Sequence, residues 1–243
     1  RLYFGVNAGA MDSMVNHYTA AKRLRSDDAY TPEGKAGQRP DYAVTVYTKI
    51  LKDIYPDIPV VIGGIEASLR RVTHYDYWQD CLKPSILVDS GADWLCYGMG
   101  ERTMIEFTRA IEAGRNLNDI RKIPQLAFYM DGRSKLKDAV ILNSYERCCK
   151  DKEAFAENFH VIETYANMLT PPVLIEPVGN GYVQINPTWP PATQEEMEEA
   201  VRSTGFYHNK AQNLIACAKE LLERFDGEVP SSIEELTSLP GVG

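Results

Sequence analysis

The chain has 243 residues, of which 44% are hydrophobic and 25% are charged, proportions typical of an ordinary globular protein. Its formal net charge of −8 argues against attraction of the whole surface to nucleic acid or to anionic membranes, although it allows a local basic patch. No apolar run reaches the roughly 18 residues of a membrane helix, and no signal peptide is recognisable. We therefore expect no membrane contact and a cytoplasmic location.

The five cysteines have neither the spacing of a disulfide framework nor a CxxC or CxxxCxxC run; they are Cys81, Cys96, Cys148, Cys149 and Cys217. Free thiols are therefore expected, and no local ligand set for zinc or an iron–sulfur cluster is predicted. The adjacent pair Cys148-Cys149 is interpreted as structural or incidental, because neighbouring side chains rarely converge on one metal.

In the first half of the chain, helix and strand signals alternate. Apolar residues at helical spacing predict a helix beginning near Ala43, and Pro56 and Pro59 end it. Short apolar strands are predicted over 60–62, 86–88 and 94–97. A second helix is predicted over 101–113, with Ile105 and Ile111 facing inward and Gly114 as its stop. This rhythm indicates an α/β sheet, which we expect to be parallel.

The second half adds strands over 126–129 and 140–142 and a helix that contains Phe155 and Phe159. A hairpin is predicted over 173–185, with Asn180-Gly181 as a type I′ turn.

A stretch with Pro187, Pro190 and Pro191 then marks a boundary, after which the pattern is purely helical. An amphipathic helix is predicted over 211–225, and Ser231 with Glu234 predicts a capping box for a short helix through Leu239. The predicted organisation is one domain over 1–186, a proline-rich connection over 187–200 and a helical piece over 201–243.

Two glycine-rich turns are the candidate cofactor-binding elements. The first contains Gly63, Gly64, Glu66 and Ser68, and the second contains Gly98, Gly100 and Glu101. Both follow predicted strands, and ligands of open α/β sheets bind at the carboxyl ends of strands, where a helix N-terminus can hold an anion. Taken alone, each turn is also explained as a tight connection between a strand and a helix.

Together the turns VVIGGIEAS and ADWLCYGMGERT resemble the Rossmann-like, cobalamin-binding-like domain that precedes many radical SAM barrels. The segments LYFGVNAGAMDSMVNHYTAAKRLRSDDAYTPEGKAGQRPDYA and GGIEASLRRVTHYDYWQD closely resemble YgiQ-type radical SAM proteins. The resemblance covers about 1–199 and includes YVQINPTWPPATQEEMEE. It implies an incomplete Rossmann-like domain whose partner is the radical SAM barrel that this chain lacks.

Two departures bear on activity. The family has further residues before LYFG, and its CxxxCxxC, which holds a 4Fe–4S cluster that binds S-adenosylmethionine, follows the resembling region. A cobalamin-ligating DxHxxG is also missing from the sequence. We therefore expect this chain to bind neither cluster nor cofactor and to have no catalytic residues, with His17 and His74 as packed or surface histidines.

The stretch His74-Tyr75-Asp76-Tyr77-Trp78 has two equally good interpretations. Aromatic side chains that alternate with His and Asp could line a ligand pocket, or they could form an interface with the barrel.

The tail RSTGFYHNKAQNLIACAKELLERFDGEVPSSIEELTSLPGVG resembles endonuclease III of the helix-hairpin-helix glycosylases. The resemblance implies a weak contact to DNA phosphates through Gly241, Val242 and Gly243, with Lys210 as a backbone contact. That family's catalytic lysine and aspartate and the cysteines of its 4Fe–4S cluster follow the hairpin. Three hypotheses result: a radical SAM accessory domain, a DNA-binding fragment of a glycosylase, or a join that arose in sequence assembly and has no function as a whole.

Overall fold

The computed structural model describes residues 2–166, 168, 170–190 and 207–242. The chain divides into two compact units. One consists of Arg1–Ile162 with Pro172–Thr188, and the other of Glu163–Pro171 with Trp189–Gly243. Among the described residues, no helix combines the length and the apolar character that crossing a membrane requires.

The strands are, in chain order, β1 (Phe4–Val6), β2 (Val60–Ile62), β3 (His74–Asp76), β4 (Cys81–Lys83), β5 (Trp94–Cys96), β6 (Leu126–Asp131), β7 (Val140–Ile141), β8 (Leu174–Val178) and β9 (Gly181–Ile185). The helices are α1 (Ser13–His17), α2 (Ala43–Ile54), α3 (Gly64–Leu69), α4 (Ile86–Ser90), α5 (Glu101–Glu112), α6 (Leu117–Ile120), α7 (Tyr145–Cys148), α8 (Lys152–Ala166), α9 (Tyr207–Phe225) and α10 (Ile233–Thr237). A short 3₁₀ turn spans Pro32–Gly34.

Seven of these strands form one sheet in the order β1-β2-β5-β6-β9-β8-β7, and β3 and β4 form a separate hairpin. β1, β2 and β5 are parallel neighbours. From β5 onward the pairs β5–β6, β6–β9 and β9–β8 are antiparallel, and β7 returns to parallel pairing with β8. The α/β class is confirmed, but the sheet is mixed rather than parallel throughout.

The core lies where the parallel half meets the antiparallel half. β2 and β5 are buried along their whole length, as apolar strands covered on both faces must be. Trp94 lies between Phe107 of α5 and Phe128 of β6, with ring centroids 5.5 and 5.3 Å apart. These edge-on aromatic contacts join the helix layer to the sheet.

Several local predictions were wrong for identifiable reasons. Residues 86–88 are helical rather than extended, because Ser85 caps α4 by accepting from the Leu87 N–H. Ile105 is 51% exposed, since the inward face of α5 presents Thr103, Phe107 and Ala110 instead.

The predicted hairpin exists, but Val178 pairs with Gly181, so the turn residues are Gly179-Asn180. Of the two, Gly179 alone has a positive φ, 58°. This is the pattern of a type II′ turn, not of type I′. The predicted N-cap is shifted by one residue: the Ser232 side chain accepts from the Glu235 N–H, and its hydroxyl donates to the Glu235 carboxylate at 2.7 Å.

Candidate functional site

The two predicted glycine turns meet at the carboxyl edge of the parallel strands. β2 ends at Gly63-Gly64 and β5 is followed by Gly98 and Gly100, and these four glycines line one cleft of about 450 Å³. Gly5, Val6, Asn7, Gly9, Val61, Ile62, Cys96 and Met104 complete its lining. The structure thus brings the two predicted turns together at one edge of the sheet, while binding of a ligand stays a prediction.

A third turn, which the sequence pattern above did not include, also lines this cleft. Asn7 and Gly9 follow β1, which is parallel to β2. The Asn7 side chain accepts from the Gly9 N–H at 2.8 Å and closes the turn. The signal was present as a short apolar strand followed by Asn-x-Gly, a turn pattern.

Two glycines are required by the backbone and one by space. Gly64 and Gly98 have φ of 78° and 68°, values that residues with a Cβ rarely adopt. A Cβ at Gly100 would lie 2.5 Å from the Cys96 sulfur. Glycine at these positions is therefore explained equally well by tight connections between a strand and a helix and by turns that bind a ligand.

The turns are also tied to one another. The Gly63 N–H donates to the Val6 carbonyl at 3.0 Å. The Gly98 N–H donates to the hydroxyl of Ser68, a predicted site residue on α3, at 3.1 Å. This bond joins the turn after β5 to the helix that follows the turn after β2. The cleft therefore has a fixed shape, walled mainly by backbone and by small or apolar side chains.

The two acidic residues of the predicted site lie apart from the cleft lining. Glu66 is 1% exposed, and its carboxylate accepts from the Ser13 N–H at 2.7 Å and from the Val44 N–H at 3.0 Å. It thus supports the N-terminal ends of α1 and α2, where a negative charge is stabilised by the helix dipoles. Glu101 is exposed in the first turn of α5.

Cys96 is the reactive side chain nearest to the glycine turns. Burial raises the pKa of its thiol to about 11, so the group is protonated at neutral pH. A protonated, buried thiol is a poor nucleophile and a poor metal ligand. The cleft can therefore supply backbone hydrogen-bonding groups and apolar surface, but not covalent chemistry from this cysteine.

The stretch His74–Trp78 forms a second recess, which we call the β3 cavity. All five of its side chains line a space of about 220 Å³ together with Asp12, Val15, Leu69 and Arg70. The ligand-pocket interpretation of this stretch thus has a cavity to support it. Helix α3 connects the recesses, since Gly64 at its start lines the glycine cleft and Leu69 at its end lines the β3 cavity.

The described residues do not fit an iron–sulfur cluster. Within the part of the chain that the structure covers, no three His, Cys, Asp or Glu side chains are grouped so as to hold a metal ion. Cys96 and Cys148 are buried separately, whereas Cys81 and Cys149 are exposed.

The predicted DNA-contacting residues belong to the second unit. Gly241 follows α10 with a φ of 77°, and a Cβ there would lie 2.8 Å from the Asn213 side chain of α9. Val242 is 40% exposed, whereas Gly243 and the Lys210 side chain lie outside the described residues. The turn packs closely against α9, and a DNA contact stays a prediction.

Comparison with known proteins identifies the family. The family model described as radical SAM N-terminal matches residues 1–219, so the match continues past residue 199, where the resemblance was predicted to end. A UPF0313 protein of Porphyromonas gingivalis is 44% identical over 228 residues, covering 92% of this chain and 36% of the relative. One from Bacteroides thetaiotaomicron is 47% identical over 213 residues, covering 82% of this chain and 34% of the relative.

A UPF0313 protein of Clostridium botulinum is 42% identical over 222 residues, covering 90% of this chain and 34% of the relative. The chain thus spans about a third of the length of the curated relatives it matches. No solved structure matches it. The resemblance of residues 201–243 to endonuclease III stays a prediction. On the extent of the family match and the identity to these relatives, the chain belongs to the radical SAM N-terminal family.

Proposed function

We propose that this chain acts as an accessory domain of a radical SAM protein and supplies none of the ligands of the cluster. The observation behind this proposal is the family match over 1–219, combined with relatives of which the chain covers only about a third. When bound in the complete protein, a 4Fe–4S cluster and S-adenosylmethionine would supply the radical chemistry that the family name implies. The cytoplasmic location stays part of this proposal.

The edge of the sheet that bears the glycine cleft is the proposed contact with the radical SAM barrel. Met99, between two cleft-lining glycines, is 82% exposed, and Ile65 and Leu69 on α3 are 52% and 64% exposed. Ile65 and Leu69 lie about one turn apart on α3, and Met99 follows Gly98, whose N–H donates to the Ser68 hydroxyl of the same helix. Large exposed apolar side chains that lie near one another are typical of an interaction surface. We name Ile65, Leu69 and Met99 the apolar edge.

A chimera tests this contact. This chain would replace the matching segment of the full-length Porphyromonas gingivalis relative, and limited proteolysis would report whether the two parts dock. We expect Met99→Glu and Ile65→Glu to make the join protease-sensitive, because each would place a charge in the interface. The matched control is Ile141→Glu on edge strand β7, where Ile141 is 67% exposed. Equal protease resistance of all variants would contradict the proposed surface.

The accessory role is tested separately by metal content. After anaerobic reconstitution with iron and sulfide, the 243-residue chain is expected to retain no cluster, while the chimera is expected to retain one. A full cluster on the isolated chain would overturn the proposal. This outcome is independent of the docking surface, because it reports ligands rather than contacts.

A ligand of the glycine cleft is the finer part of the proposal. Of the predicted binding residues, Gly63, Gly64, Gly98 and Gly100 line the cleft and are its proposed binding elements, supported by its shape and backbone groups. The other three, Glu66, Ser68 and Glu101, lie outside its lining. Cobalamin and S-adenosylmethionine are the probes to titrate, with intrinsic fluorescence as the readout. A flat response to both would argue against binding here.

For the tail, the endonuclease III resemblance motivates a weak DNA contact as the alternative function. Residues 201–243 carry a net charge of −2 (Arg202, Lys210, Lys219 and Arg224 against six Asp or Glu), which is unfavourable for autonomous DNA binding. Salt-dependent binding of the chain to an abasic duplex, lost when Gly241 and Gly243 are changed, is the expected result of this alternative. A flat titration would remove it.

A further inference from the structure

A further recess of the first unit lies at the amino ends of β2 and β5. Pro59, before β2, and Asp93, before β5, both line it, so it is at the edge of the parallel strands opposite the glycine cleft. We call it the amino-end cavity. Its volume of about 610 Å³ falls within the roughly 300–1,000 Å³ of typical small-molecule sites. The cavity therefore has room for a small organic molecule.

The walls of this cavity are mainly apolar. Val88 of α4 and Leu117 of α6 line it and are 38% and 55% exposed, so their side chains offer surface to an entering molecule. Trp94 of β5 and Phe128 of β6 also line it, and their rings pack edge-on with centroids 5.3 Å apart. Ordered apolar walls of this kind bind the apolar body of a ligand at little entropic cost.

Arg121, which follows α6, brings an uncompensated positive charge to the cavity. It lines the cavity, and its guanidinium carbon lies 5.8 Å from the centroid of the Phe128 ring, another lining side chain. Among the described residues the guanidinium has no ion-pair or hydrogen-bond partner. Its Nε is buried, whereas the two Nη nitrogens are not, so these donors remain open to a ligand. Because a half-buried cation is normally paired, the free donors indicate where an anionic group would bind.

The other charge of the lining is already neutralised. The Asp93 carboxylate lies 2.8 Å from the Lys52 ammonium and accepts from the Val60 N–H at 2.7 Å. Burial raises the pKa of Tyr129, so its hydroxyl is uncharged at neutral pH. Arg121 thus leaves one positive charge unbalanced, and a ligand with a single negative charge would compensate it.

We propose that the amino-end cavity binds an organic carboxylate with an apolar body. The planar guanidinium of Arg121 matches the two oxygens of a carboxylate, and the apolar walls with Val88 and Leu117 cover the rest of the molecule. This inference does not depend on the proposed accessory role, because the cavity lies at the opposite edge of the parallel strands from the glycine cleft. The two recesses share none of the lining residues that the structure describes.

Naphthalene carboxylate and its uncharged amide are the matched probes, since they share size and shape but only the carboxylate carries a negative charge. Binding to the complete 243-residue chain would be followed by NMR, using the assigned indole N–H signal of Trp94. We expect the carboxylate to bind about tenfold more tightly than the amide, the usual worth of one hydrogen bond to a charged group. Arg121→Met removes the guanidinium but keeps an apolar stem, and is expected to abolish the difference between the probes.

Three further variants separate recognition by Arg121 from general attraction of an anion. Lys122→Met removes the same charge from the next residue, whose side chain is 78% exposed and outside the cavity lining, and should preserve the preference. Leu117→Glu places a carboxylate one helical turn before Arg121, whose N–H donates to the Leu117 carbonyl at 2.9 Å. This carboxylate would pair with the intact guanidinium and should abolish the preference, whereas the uncharged Leu117→Gln should preserve it.

The proposal is overturned if neither probe shifts the Trp94 signal, or if the preference for the carboxylate survives Arg121→Met in a folded protein. An equal loss of the preference in Lys122→Met would also overturn it, because the attraction would then be general. Thermal unfolding of each variant reports whether the fold is intact. Should Arg121→Met not fold, Leu117→Glu, at an exposed position, decides in its place.

Discussion

The glycine cleft and the β3 cavity lie at opposite ends of the same short helix, yet they are built in opposite ways. The cleft is lined by backbone, by glycines such as Gly63 and Gly98, and by apolar side chains. The β3 cavity is lined by ionised and aromatic side chains, with Arg70 and Asp12 paired across 58 positions of sequence. We therefore expect substitutions in the cleft to lower folding stability through added volume or backbone strain. Substitutions in the β3 cavity should lower it through loss of a charge. Substitutions in the two recesses test that division.

The largest effect is expected when the ion pair of the β3 cavity loses its cation. Arg70→Met should destabilise the first unit by about 4 kcal/mol, because the Asp12 carboxylate is left buried without its partner. Chemical denaturation followed by fluorescence measures this change. Arg70→Met combined with Asp12→Asn should recover at least half of the loss, since Asn can cap α1 as the Asp12 side chain does by accepting from the Met14 N–H. A cost below about 1 kcal/mol for the single change would show that the pair is solvated.

The second effect is a dependence of stability on pH that originates behind the β3 hairpin. Glu176 on β8 is 1% exposed and accepts from the Thr73 N–H, the residue before β3, with both oxygens at 2.9 and 2.8 Å. Burial raises its pKa to about 7, against an ordinary value of 4.5. Because the pKa of Glu176 is higher in the folded state than in the unfolded state, its contribution to the free energy of unfolding is complete below pH 4.5. That contribution is lost as pH rises through about 7.

This contribution amounts to about 3 kcal/mol over that window. Denaturation curves recorded from about pH 5 to about pH 8 should therefore show stability falling with pH, by up to about 1.4 kcal/mol per pH unit from this group. Glu176→Gln should remove that part of the slope, whereas Glu101→Gln, at an exposed position of α5, should leave it unchanged. Equal slopes in the wild type and in Glu176→Gln would refute the assignment.

The same contrast explains how much could be predicted from sequence. Gly63-Gly64 and Gly98-x-Gly100 were identified because backbone constraints appear in sequence as glycine spacing after apolar strands. Their meeting at one edge is a result of the parallel pairing of β2 and β5, which the structure shows. By contrast, the predicted strand over 86–88 was a helix, because a short apolar run fits either structure and the Ser85 cap decided the outcome.

Residues whose partners are distant in sequence could not be assigned. Glu66 is predicted as a ligand residue because it follows two glycines, but its carboxylate accepts from the Ser13 and Val44 N–H groups, whose positions only the tertiary fold provides. His74 was interpreted as packed or exposed, and its unpaired nitrogen depends on Val72 and on burial. Local pattern therefore identified the glycine turns and left the roles of the side chains open.

A third prediction adds volume at the glycine cleft. Gly100→Ala should cost about 2 kcal/mol, because its Cβ would lie 2.5 Å from the Cys96 sulfur in a packed site. Thermal unfolding provides the measurement, and a double-mutant cycle with Cys96→Ala should show favourable coupling. Gly5→Ala is the matched control within the same cleft, since a Cβ there meets nothing within 4 Å. A similar loss at both glycines would mean that space at Gly100 is not limiting.

The smallest effect separates backbone strain from crowding. Gly64 has a φ of 78°, and the nearest atom to an added Cβ is the Cβ of Asn7 at 3.4 Å, so little volume must be displaced. Gly64→Ala should therefore cost only about 1 kcal/mol, from the left-handed backbone alone. Gly64→Asn is the discriminating variant, because Asn adopts this conformation more readily than Ala although its side chain is larger. If Asn costs less than Ala in denaturation experiments, conformation sets the penalty. If Asn destabilises the fold more than Ala, crowding against the turn after β1 sets the penalty. The cleft then has less free space than its volume of about 450 Å³ indicates.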